Sequence, residues 1–192
     1  MRVLVSGFGP FLEEKVNPSE SIVSFVNSAG LNRPKNWGAL EVRGVILPVD
    51  FDEAFPQLEK IRSEFQPDVV LSFGLASGRS AIEIEQLAIN FRGAIDSEAP
   101  ISLPTTLPSE TLINDLLARG IAARASMSAG TYVCNHLFFK LQDRLRFTRV
   151  RSGFIHVPSF EHLPWPQLEA AIDSIFTTFA AENTFRSALL KR

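Results

Sequence analysis

Residues 51–74 read FDEAFPQLEKIRSEFQPDVVLSFG, and their periodicity changes midway. Phe51, Phe55, Leu58 and Ile61 recur at helical spacing, which predicts a helix from Phe51 to Phe65. Gln66-Pro67-Asp68 breaks it, because proline disfavours helical backbone at the residue before it. Val69 to Phe73 then forms a short apolar run that ends at Gly74. A strand apolar on both faces belongs in a sheet covered on both sides. Helix, break and doubly buried strand are the repeating pieces of a parallel α/β sheet.

The flanking segments repeat the alternation. Val3 to Val5 predicts a buried strand that leaves its sheet at Ser6-Gly7. Asn17-Pro18-Ser19-Glu20 predicts a turn and a helix start, with Ser19 as candidate cap. Leu40 to Leu47 predicts a strand stopped by Pro48. Beyond Gly74, the alternating Ala81 to Asn90 predicts one extended segment, and Phe91 to Pro108, with three prolines, a loop. Ser109 to Ala125 predicts a helix with Leu112, Leu116 and Leu117 inward. Cys134 to Leu145 predicts another helix, Ser152 to Val157 a strand closed by Pro158, and Leu168 to Phe179 a final amphipathic helix. The expected fold is a three-layer α/β/α sandwich around a mostly parallel mixed sheet, with residues 1–192 as a single domain.

Composition narrows the function. The chain has 192 residues, 45% hydrophobic and 21% charged, which excludes a disordered or fibrous chain. Lys and Arg number 19 against 21 Asp and Glu, so no basic excess exists to neutralise phosphates, and no nucleic-acid partner is expected. The apolar run before Ser6-Gly7 is too short for the roughly 7–15-residue core of a signal peptide. No stretch approaches the roughly 20 apolar residues of a membrane span. A cytoplasmic protein without a membrane partner is expected, a setting in which a lone thiol stays reduced.

Several motifs fail on inspection. Gly7-Phe8-Gly9 after a strand has Leu12 where a dinucleotide fingerprint needs its third glycine. Gly74 to Ser80 resembles a phosphate loop but is one residue short and carries Arg79 in place of the lysine. His136, His156 and His162 lack ligand spacing, and the single cysteine excludes a cysteine-based zinc site, so no metal is expected.

That single cysteine is the informative residue. Cys134 opens an apolar helical run, where the positive helix end is expected to lower a thiol pKa and free backbone N–H groups can hold an oxyanion. A small buried hydrophobe is the plainer alternative. A sulfur nucleophile needs a base and a group that orients the base. His156, near the end of a strand, is the better base, because His136 lies two residues after Cys134 and on another helix face. Glu83 and Glu85 share one face of an extended segment, and residue chemistry does not choose between them.

Four blocks stand in order along the chain: Ser6-Gly7-Phe8-Gly9-Pro10-Phe11 with Asn17-Pro18-Ser19; Pro67-Asp68 through Gly74, Gly78-Arg79-Ser80, Ile82, Glu85, Ala88 and Asn90; Gly130 to His136; and Gly153 to Pro158. Together they resemble the pyroglutamyl peptidase type I family of cysteine peptidases. The resemblance implies Cys134 as nucleophile, His156 as base and Glu85 as its partner. It also implies Phe8 and Phe11 packing on the substrate ring, with Tyr132 and Val133 lining the same pocket. It further implies small peptide substrates with a blocked N-terminus, no cofactor, and a homo-oligomer, tetramer or dimer. Relative to the family pattern, Leu12-Glu13 replaces a glycine pair, Glu83 a small hydroxyl residue, Gln86 a basic residue, and Ile95 an arginine. The alternatives are action on another small amide or lactam, or a non-catalytic small-molecule binding domain of the same fold.

Overall fold

The computed structural model describes residues 1–11, 16–28, 35–38, 40–93 and 95–189, so Leu12, Glu13 and Ala94 lie outside the described residues. The strands are β1 (Arg2–Phe8), β2 (Glu41–Leu47), β3 (Val69–Leu75), β4 (Ile82–Glu85), β5 (Leu87–Ile89), β6 (Ser102–Pro104), β7 (Ala123–Ser126) and β8 (Arg151–Val157). The helices are α1 (Pro18–Ser28), α2 (Ala54–Phe65), α3 (Ser109–Ala118), α4 (Val133–Leu145) and α5 (Trp165–Leu189). Six strands form one sheet in the order β2-β1-β3-β8-β4-β7. All neighbours in it are parallel except β4 and β8.

Side-chain alternation along the strands builds two cores. Val3, Val5, Val69, Leu71, Phe73 and Ile155 face one side, against α1, α3 and α5. Leu4, Phe8, Val70 and Phe154 face the other, against α2 and α4. Each side contributes buried apolar surface worth roughly 25 cal/mol per Å², so neither helix layer can be removed without exposing a sheet face. The expected three-layer fold is thus the observed one.

Local differences have physical causes. β1 runs past Ser6-Gly7 to Phe8 instead of turning there. A β-carbon at Gly7 would stand 2.3 Å from the Ser19 carbonyl oxygen, so this glycine lets α1 approach the strand. Asn17, not Ser19, caps α1: its Oδ1 accepts from the Ser19 N–H at 3.0 Å, while Ser19 Oγ accepts from the Phe8 N–H at 2.9 Å. α2 begins at Ala54, after a turn through Phe51. The segment 81–90 divides at Gln86 into β4, in the main sheet, and β5, which pairs antiparallel with β6 inside the expected loop. The helix from Ser109 stops at Ala118, and Gly120 adopts φ +73°, a left-handed turn that frees the chain to form β7. Leu117, about 100° around the helix from the buried Leu116, points outward at 51% exposure.

Candidate active site

Cys134 is the second residue of α4, which starts after Tyr132 in extended backbone. The first N–H groups of a helix have no acceptor within it, and the backbone N–H of Cys134 favours the thiolate. Two polar side chains fix this helix end. The buried Asn135 accepts from the Ile89 N–H at 2.9 Å and donates to the Ile89 carbonyl at 2.8 Å. One helical stretch later, Gln142 donates to the Ser152 carbonyl at 2.8 Å and accepts from the Ser152 hydroxyl at 3.1 Å. α4 is therefore pinned to β5 and to β8, the strand that carries His156.

Gly74 connects the thiol to that strand. It pairs with His156 in the parallel β3–β8 ladder. A β-carbon there would stand 3.1 Å from Cys134 Sγ and 2.8 Å from Phe154 Cζ. The sulfur thus lies over the strand pair that holds the imidazole, and the Phe154 ring lies 4.8 Å, centroid to centroid, from that imidazole.

The carboxylates divide their work. In the antiparallel β4–β8 pair Glu83 stands directly opposite His156. Even so, Glu85 is the residue that reaches the imidazole, with Oε1 2.7 Å from His156 Nδ1. An ionised carboxylate only accepts, so Nδ1 carries the proton and Nε2 is left as the basic nitrogen. Arg79 Nη1 donates to the same Glu85 oxygen at 2.8 Å and also to Glu83 Oε2. Arg79 Nη2 donates to the Ser128 carbonyl at 3.0 Å. On its far side Glu83 accepts from Arg124 Nε at 2.8 Å. Glu85 Oε2 is buried without a partner in hydrogen-bond geometry, although the Ser126 hydroxyl, on its register partner in β7, lies close enough to favour the anion.

Two titrations follow from this arrangement. Burial raises the Glu85 carboxyl, but His156, Ser126 and Arg79 together outweigh it and hold the group below the ordinary 4.5. Burial pushes the Cys134 thiol from 9.0 up to about 12. Its own N–H and Arg79 pull downward, and the Glu85 charge adds to the rise. The helix end is therefore not the deciding influence expected from the sequence: loss of water outweighs it.

The four expected pocket residues differ in exposure. Phe11 and Tyr132 are accessible and stack at 5.5 Å between ring centroids, with Tyr132 49% exposed. Phe8 and Val133 are buried in the core beside them. His136 packs against Phe51, not against the thiol. Among the described residues, no group of three or more His, Cys, Asp or Glu could hold a metal ion.

Sequence reasoning overlooked Phe51, Arg79 and Arg124. Phe51 meets Tyr132 edge-on at 5.2 Å, a role hidden by its assignment to a helix. Arg79 entered as a defective phosphate-loop residue and as part of a matching block, without a role of its own, and Arg124 lay inside the overlong helix. Gly120 was the available signal that the helix ended and that Arg124 began a new element.

Residues 1–175 match the family model described as pyroglutamyl peptidase. A pyrrolidone-carboxylate peptidase of Halalkalibacterium halodurans is 38% identical over 177 residues, covering 84% of this chain and 85% of its own. One from Pyrococcus furiosus is 38% identical over 174 residues, covering 82% and 81%. The crystal structure of Bacillus amyloliquefaciens pyroglutamyl peptidase I superposes with a TM-score of 0.81 at 29% identity, over 94% of this chain and 97% of that one. The pyrrolidone carboxyl peptidase of Thermococcus litoralis superposes with a TM-score of 0.79, also at 29% identity, over 100% and 96%.

Proposed function

This chain belongs to the pyroglutamyl peptidase family and is a cysteine peptidase that removes an N-terminal pyroglutamyl residue; from that premise we propose that Cys134 is its nucleophile, His156 its general base and Glu85 the carboxylate that orients the base. The observation that carries this reading is the buried 2.7 Å contact between Glu85 and His156 Nδ1, on the strand pair under the Cys134 sulfur.

Burial favours the protonated thiol, so proton removal accompanies the first step. His156 Nε2 takes the thiol proton as sulfur attacks the carbonyl that follows the lactam ring. N–H groups of the first turn of α4, that of Cys134 among them, hold the oxyanion. The imidazolium, stabilised by Glu85, returns its proton to the leaving amine as the C–N bond breaks. Water then hydrolyses the thioester, with His156 again as base, and releases pyroglutamate and free thiol.

The lactam is a flat ring without an amine, so apolar faces recognise it. Phe11 and Tyr132 supply accessible faces, and Phe8 and Val133 form the buried wall behind them. The reading extends to a reducing cytoplasmic setting, which protects the lone thiol, and to a homo-oligomer. Phe147 and Ile101, at 87% and 76% exposure, are large apolar side chains that an interface could cover. No helix among the described residues is long and apolar enough to cross a membrane.

Turnover of a fluorogenic pyroglutamyl amide tests the assignment. Cys134→Ala should lower kcat/KM on the order of 10⁴-fold or more with the fold intact by circular dichroism. Turnover near the wild-type rate would remove Cys134 from the reaction.

A further inference from the structure

The Glu83 carboxylate is an unusual neighbour for a triad. It stands directly opposite His156 and is 4% exposed, so a second buried negative charge lies beside Glu85. Like charges in one buried site oppose ionisation of both. The structure shows what offsets that opposition. Arg79 Nη1 donates to Glu83 and to Glu85, and Arg124 donates to the other oxygen of Glu83. From β7 to β8 the order is Arg124, Glu83, Arg79 and Glu85, four charges alternating in sign, and then the His156 imidazole.

We propose that Arg79 is a positioning residue for the triad: held by Glu83 and the Ser128 carbonyl, it fixes Glu85 Oε1 against His156 Nδ1 and balances the second carboxylate. Its geometry suits this role. One nitrogen bridges the two carboxylates while the other is tied to the loop before α4, so the guanidinium cannot swing to either acid alone. Lysine has no such fork. The same contacts join the loop between β3 and β4 to the loop that leads into Cys134.

The proposal rests on the triad reading above. The ionisable groups that face Glu85 are His156 from β8, Glu83 on its own strand, Arg79 from the β3–β4 loop and Cys134 from α4, with Arg124 of β7 one step beyond. Removing a positive charge favours every protonated form, so Arg79→Gln should move the acid limb of kcat/KM upward, by about one pH unit. KM at the optimum should change less than about twofold, since Arg79 acts through Glu85 and not on substrate. Glu83→Gln should move the limb downward. The double variant should return it near the wild-type position, and Arg79→Lys should restore only part of the shift.

Two readouts keep the outcomes distinct. The first is kcat/KM against pH on a pyroglutamyl amide. The second is the pH dependence of Cys134 alkylation by iodoacetamide, read by mass spectrometry, which needs no substrate. At fixed pH, alkylation should slow in Arg79→Gln and quicken in Glu83→Gln. Opposite shifts that cancel in the double variant support the clamp, and they do so by alkylation even if wild-type protein fails on every pyroglutamyl amide and the activity reading falls. Unmoved profiles, or shifts of the same sign in both single variants, would overturn it. Should Arg79→Gln fail to fold, Glu83→Gln and Arg79→Lys still carry the test, because the clamp requires shifts of opposite sign from them.

Discussion

Glu85 remains ionised where burial alone would neutralise it, and the His156 imidazole is the main reason. A carboxyl depressed in the folded state stabilises the fold above its unfolded pKa near 4.5. That contribution is lost as pH falls through the lower folded value. Urea titrations of wild type and Glu85→Gln should therefore diverge most at neutral pH and converge below about pH 4, and a gap that widens with acid would contradict the sign. Catalysis should rank the two acids the same way. Glu85→Gln should lower kcat about 10²-fold or more, because an amide can favour the wrong imidazole tautomer, whereas Glu83→Gln should stay within about tenfold at the optimum. The reverse ranking would reassign the orienting group. With a thiol near 12, iodoacetamide alkylation should rise steadily through neutral pH, and a plateau beginning below pH 7 would reveal a standing thiolate. Much of this arrangement was legible in the sequence: a lone cysteine at a helix start, a strand histidine and two acids are the side chains that the fold brings together. Which acid reaches the imidazole was not legible from spacing, since the register puts Glu83 opposite His156 while its side chain turns to Arg79 and Arg124.

The same limit operates on elements. α4 and β8 were readable because an apolar run begins at Cys134 and another ends at Pro158. β7 was not, because Ala123 to Ser126 continues a string of small residues that fits a helix equally well; only pairing with β4 makes it a strand. β5 and β6 are three residues each and exist through their mutual ladder, so local propensity carries little trace of them. The element that sets the site most tightly is β3 at Gly74. Gly74→Ala would push on Phe154 and on the sulfur at 2.8 and 3.1 Å. Because Phe154 is fully buried, the substitution should cost about 1–3 kcal/mol in thermal or urea unfolding and lower kcat as well. Full activity with unchanged stability would show that the thiol does not depend on this close approach. At the start of α1, Asn17→Ala should cost about 1 kcal/mol as a lost cap, while Ser19 would instead act through the end of β1.

At the scale of the whole molecule, the sheet gathers its chemistry on one face. His156, Glu83 and Glu85 project toward α2 and α4, and Gly74 leaves room for the sulfur on that side, while the face under α1, α3 and α5 is mainly aliphatic and aromatic, with Arg151 at the start of β8 pairing with Glu182 of α5. Stability and reactivity are thereby separated by the thickness of a sheet. This division was legible as fold class, since alternating helices and doubly buried strands admit few other arrangements. The antiparallel entry of β4 was not, and it is what brings two acids beside a strand histidine. The exposed Phe147 and Ile101 belong to this scale too. Light scattering after gel filtration should give a dimer or tetramer, and a monomer at micromolar concentration would contradict the proposed assembly. The proposed chemistry turns on the Cys134 sulfur attacking the pyroglutamyl carbonyl. Its most direct test is labelling with a pyroglutamyl chloromethyl ketone, mapped by peptide mass spectrometry. One label per chain is expected, on Cys134, prevented by excess pyroglutamyl substrate and slowed in Glu85→Gln. A label on any other residue, or inactivation with Cys134 unmodified, would contradict it.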